Sequence, residues 1–135
     1  MSQASAFDQL VAAASAQSQP QVLLFVFAGA RLPVDEATAR PDGAELGAGA
    51  EWRPVMCVEK RLDELSTFDA LVEESRDVGP PWQVVFAAGL AGEEGRLPSP
   101  KVITDALGTM VERVGHGAVD AFLALSDTGQ RLRFV

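Results

Sequence analysis

The chain alternates between short runs that are apolar throughout and segments in which apolar residues recur every three or four positions. Phe7, Leu10, Val11 and Ala14 follow the second pattern, which predicts an amphipathic helix with Ser5 as its N-cap and Pro20 as its stop. "VLLFVFA", residues 22–28, is unbroken and rich in β-branched and aromatic residues, the signature of a central strand covered on both faces. Residues 29–52 lose all periodicity: glycines at 43, 47 and 49 and prolines at 33 and 41 predict a long, mobile connection. Val55, Met56, Cys57 and Val58 then form a second short, buried strand. Leu65, Phe68, Leu71 and Val72 mark the apolar stripe of a second helix, with Ser66 and Asp69 at its start resembling a capping box.

"VGPP" breaks that helix, "WQVVFAA" reads as a third strand, and "GLAGEEGRLP" as a glycine-rich loop. Ser99 and Pro100 suit the N-cap and first position of a third helix, whose buried stripe is Ile103, Leu107, Met110, Val111 and Val114 and whose end is Gly115. "AVDAFLAL" is a fourth strand, and "SDTGQ" turns into a final strand "RLRFV", where Arg131 and Arg133 alternate with Leu132 and Phe134. This order predicts an α/β fold bordering on α+β, with a mixed five-stranded sheet and about three helices. Its central β-α-β-α-β unit pairs in parallel through right-handed crossovers, and a β-hairpin closes the C-terminus behind a charged edge.

Composition narrows the function more than the fold. A chain of 135 residues, 47% apolar and 22% charged, has the ordinary globular mix and predicts a single domain over residues 1–135. A net charge of -8 with scattered basic residues disfavours a nucleic-acid partner. The longest apolar run falls far short of the ~20 residues needed to span a bilayer, so no membrane role is expected. The N-terminus has neither the basic start nor the apolar core of a secretory signal. The single cysteine rules out an internal disulfide and suits a reducing cytoplasm.

The residues able to do chemistry are few. Cys57, between Met56 and Val58, reads as a structural thiol inside an apolar strand and not as a nucleophile. His116, the only histidine, stands where a helix C-terminus exposes its carbonyls and lacks the motif of a catalytic triad. Gly89, Gly92 and Gly95 lie between a strand and a helix, but G-x-x-G-x-x-G is not a nucleotide fingerprint, and Glu93 and Glu94 repel phosphate; a flexible turn is the plainer reading. Asp69, Glu73 and Asp77 form an acidic ridge on the second helix, either a solvated face or a surface for a basic partner. With Arg131 and Arg133 as its complement, that ridge would support a homodimer. No metal or other cofactor is expected from one histidine and one cysteine.

"LLFVFAGA", "PVMCVEK", "LDELSTFDALVEES" and "WQVVFAAGL" together resemble a family of small bacterial proteins of unknown function, sometimes labelled "ribonucleotide reductase subunit alpha". The resemblance implies a bacterial protein and supplies no catalytic residue. The label fails as an activity, because that catalytic subunit needs a radical cysteine and a further reducing pair, and this chain has one cysteine. The reading is therefore a non-catalytic binding or regulatory module. The alternative is a small enzyme or an anionic-metabolite-binding protein, with its site at the carboxyl ends of the parallel strands. Lys60, Arg61, Gly89, Gly92 and Arg96, with Ser126 nearby, are the candidate ligand-binding residues; the competing explanation is that the basic ones merely balance neighbouring acids.

Overall fold

The fold, taken from a computed structural model, is described for residues 5–30, 52–65 and 67–132. Three helices, α1 (Ala6–Ser15), α2 (Phe68–Val78) and α3 (Pro100–Gly115), accompany four strands, β1 (Gln21–Ala30), β2 (Trp52–Arg61), β3 (Val84–Ala91) and β4 (Leu123–Ser126). The strands form one sheet in the order β2-β1-β3-β4, and every neighbouring pair is antiparallel. The fold is thus α+β, and the expected five-stranded mixed sheet with a parallel β-α-β-α-β unit is corrected.

The reason lies in strand order. β2, α2 and β3 do form a crossover, and β2 and β3 do run the same way, but β1 lies between them and is antiparallel to both. β4 then returns beside β3 in the opposite direction, with Val84 opposite Ser126 and Ala87 opposite Leu123. Periodicity reports which segments are strands and leaves their neighbours open. The expected final strand reduces, among the described residues, to a bridge between Leu125 and Arg131, with the Leu132 N–H donating to the Ala124 carbonyl. Arg133 and Phe134 lie outside the described residues, as does most of the 29–52 connection.

β1 is covered on both faces, and Val22 through Ala28 are all buried. Leu23, Phe25 and Phe27 face α1 and α2, joined by Phe7, Phe68, Leu71, Trp82, Val85 and Leu125. Val22, Leu24, Val26 and Ala28 face α3, joined by Trp52, Phe86, Ile103, Met110 and Val114. A strand with period-two side chains feeding two separate cores must be apolar at every position. The three layers follow from that one segment.

Local chemistry sets the helix starts. Ser5 Oγ accepts the Asp8 N–H at 3.1 Å and Ser99 Oγ the Val102 N–H at 3.2 Å, each satisfying a donor of the first turn. α2 is capped by Thr67, whose Oγ1 accepts the Ala70 N–H at 3.1 Å; the expected cap, Ser66, lies outside the described residues. Leu65 precedes the helix, after a short 3-10 turn at Leu62–Glu64.

On the α2 side, the buried Ser75 hydroxyl donates to the Val72 carbonyl at 2.6 Å and accepts the Trp82 indole N–H at 2.8 Å. Arg76 stacks over the Trp82 ring with Cζ 5.8 Å from its centroid and reaches Asp127 at 2.8 Å. Ser75→Ala strands the indole N–H in the core, and we expect a loss of about 1–3 kcal/mol in denaturant unfolding. A neutral result would mean that the indole finds another acceptor.

Candidate functional site

Because β2 and β3 both run antiparallel to β1, their C-terminal ends lie at the same end of the sheet, flanking the start of β1. Lys60 and Gly89 oppose Leu23 from its two sides, and Arg61 and Leu90 oppose Val22. The strand ends expected to carry the ligand residues therefore do come together, although the strands are not adjacent. Ser126 does not join them. It sits at the opposite end of the sheet, and its Oγ accepts the N–H groups of Thr128 and Gln130 at 3.3 and 3.1 Å to hold the turn after β4.

The side chains of that set diverge. Lys60 Nζ binds both carboxylate oxygens of Glu74 on α2, at 2.8 and 3.0 Å. Arg61 Nε lies 3.3 Å from Asp63, and the Arg61 backbone N–H donates to Glu64 at 2.8 Å. Charge balancing describes these two bases. Gly89 is a residue of β3, opposite Leu23, and a Cβ there would come within 3.4 Å of Gln21 Oε1.

Gly92 and Arg96 belong instead to a built feature. Glu93 and Arg96 exchange backbone hydrogen bonds at 3.1 and 2.9 Å around Glu94 and Gly95, whose φ angles are 53° and 75°. Positive φ at both central residues is a type I′ turn, for which a second-position glycine is the natural choice. The turn is bolted to the start of the sheet: the Gly92 N–H donates to the Pro20 carbonyl and the Gly95 N–H to Gln19 Oε1, both at 2.8 Å. A Cβ on Gly92 would overlap the Arg96 carbonyl oxygen and come within 2.8 Å of its carbon, so only glycine lets the two strands of the turn close. The expected flexible turn is an ordered one.

Between this turn and the first turn of α3 opens a groove of about 300 Å³. Glu93, Glu94 and Arg96 line it together with Leu97 and Val102, whose side chains are 41% and 47% exposed. Among the described residues, none of these three charged side chains takes part in an ion pair. Leu97 and Val102 escaped the sequence reading because neither falls on a buried stripe. The signal for the groove was the glycine pair at 92 and 95, which marked a constrained turn.

The remaining candidates are placed as follows. Cys57 is exposed on β2, an edge strand, and the expectation of a buried thiol is corrected: an edge strand has a neighbouring strand on one side only. Cys57→Ala is expected to change stability by no more than about 0.5 kcal/mol, and a thiol reagent should label the folded protein stoichiometrically. A loss above about 1 kcal/mol would show that Cys57 packs against something. His116 is the C-cap of α3, donating its backbone N–H to Glu112 and Arg113 at 3.2 Å. Asp69, Glu73 and Asp77 are all exposed on α2. Among the described residues no group of histidine, cysteine and carboxylate side chains is arranged to hold a metal, and no helix is long and apolar enough to cross a membrane.

The chain matches no family model, no curated protein and no solved structure.

Proposed function

We propose that the protein is a non-catalytic binding module whose small ligand, a metabolite that carries at least one anionic group, enters the groove between the Glu93–Arg96 turn and α3. The observation that carries this reading is a preformed groove of about 300 Å³ with an uncommitted Arg96 on its wall and apolar surface at Leu97 and Val102. Binding sites combine apolar lining with a few placed polar groups, and a wall fixed by backbone hydrogen bonds spares the ligand the entropy of ordering it. Ser99 contributes mainly as the helix cap, and Pro100 has no N–H to offer, so recognition falls to the side chains. The setting is a bacterial cytoplasm, the kingdom from the family resemblance and the compartment from the single cysteine. It also retains self-association through the exposed acids of α2 and Arg131; a monomer mass at high concentration and low salt would remove that part.

The test is a thermal-shift screen of small carboxylates, amino acids among them, and phosphates, repeated with Arg96→Ala and with Val102→Trp, which fills the groove from an exposed position. At a ligand concentration about 100 times Kd the stabilisation should reach about 2.7 kcal/mol. Both variants should abolish it while leaving the unliganded Tm in place, because neither residue is buried. Hits that survive both substitutions would locate the site elsewhere, and a screen without hits would overturn the reading.

A further inference from the structure

The groove carries charges of both signs, and this refines the ligand class. Glu93 and Glu94 stand on the same turn as Arg96, yet among the described residues neither carboxylate forms an ion pair with that guanidinium. Opposite charges a few residues apart on a rigid turn would ordinarily neutralise one another; here the turn's backbone is fixed at Pro20 and Gln19 while the side chains remain uncommitted. A simple dianion fits poorly, since two glutamates on the groove wall outnumber the single arginine that attracts it. A ligand that brings an ammonium group and a carboxylate satisfies both signs at once.

Size and polarity point the same way. A groove of about 300 Å³ stands at the lower end of the range for small-molecule sites, which suits a ligand of metabolite size. Leu97 and Val102, half-exposed on the groove wall, give an aliphatic portion something to cover. From these observations, and resting on the reading that the groove is the binding site, we infer that the ligand is a free aliphatic α-amino acid, with its ammonium group at Glu93 and Glu94, its carboxylate at Arg96 and its side chain against Leu97 and Val102. Lys101, beside the groove's Val102, does not compete for the carboxylate, because it is paired with Asp105 at 3.0 Å.

Calorimetric titration of the full chain with leucine, N-acetyl-leucine, leucinamide and inorganic phosphate separates the contributions. Leucine should bind, and removal of either charge, by acetylation or amidation, should weaken binding by about tenfold or more. The Glu93→Gln, Glu94→Gln double variant should weaken leucine by about the same factor and leave N-acetyl-leucine no weaker, whereas Arg96→Ala should weaken leucine and leave leucinamide no weaker, because each change removes a charge that repels the analogue. This crossed pattern is not produced by a merely structural effect of the substitutions. If N-acetyl-leucine or phosphate binds as tightly as leucine and Arg96→Ala abolishes that binding, the groove stands as an anion site and the amino-acid assignment is overturned. Absence of leucine binding also overturns the assignment, and the Val102→Trp screen then decides the groove itself.

Discussion

Phe27→Ala should lower the stability of the protein by about 3–5 kcal/mol, the loss expected for truncating a fully buried aromatic side chain. The ring is fully buried on the central strand, meets the Trp82 ring edge-on at 5.0 Å between centroids, and lines a small cleft with Met56, Val58, Leu71 and Val78. Removing it takes away transfer energy, leaves a cavity, and unseats the indole that Ser75 holds. At roughly 3–4 °C per kcal/mol for a chain of this length, Tm should fall by about 9–20 °C. Equilibrium denaturation would show the midpoint shift with an unchanged m-value. A loss under about 1 kcal/mol would mean that β1 is not the strand on which both layers pack.

Gly92→Ala is the second large effect, and it acts on the site instead of the core. The added methyl collides with backbone, the carbonyl of Arg96, which cannot swing aside as a side chain can. We expect a cost of about 3 kcal/mol, limited only by the energy of releasing the turn from Pro20 and Gln19. Hydrogen exchange should report loss of protection at Gly92, Gly95 and Arg96 with the β1 amides still protected, and ligand binding should disappear with it. Gly95→Ala, at φ 75° with nothing near its Cβ, should cost less, about 1–2 kcal/mol. Equal effects at the two positions would show that steric overlap is not what makes Gly92 necessary.

The parts of the fold that were legible in the sequence are those dictated by local chemistry or by one-dimensional burial. Ser5 and Ser99 announce their helices because a hydroxyl before a helical stripe satisfies orphan amides, and the unbroken 22–28 run announces a strand with two covered faces. Strand order was not legible. Whether β3 pairs with β2 or with β1 depends on packing between segments some sixty residues apart, and helix α2 would follow β2 in either arrangement. The same ignorance misjudged Cys57: a run of apolar residues looks the same on a central and on an edge strand until the neighbours are known.

The candidate site was half legible. The sequence placed Lys60, Arg61 and the glycine loop at one end of the sheet, which holds, because β2 and β3 share a direction. It could not show that Glu74 on the next helix takes Lys60, or that Asp63 takes Arg61, leaving Arg96 as the base that faces an open groove. Ser126 was misplaced for the same reason as the topology, since its position followed from a parallel fourth strand.

The placement of β1 between two later strands has a consequence for how the chain is made. Its seven-residue apolar stretch leaves the ribosome first, while its second neighbour, β3, is complete only at Ala91, about sixty residues later. At about 5–20 residues per second that is an interval of about 3–12 s in which the most aggregation-prone segment of the protein lacks one or both of its partners. The segment that later unites both cores is, during synthesis, the natural target for a holdase chaperone, and slowing translation beyond Ala30 should raise the insoluble fraction more than slowing it beyond Ala91.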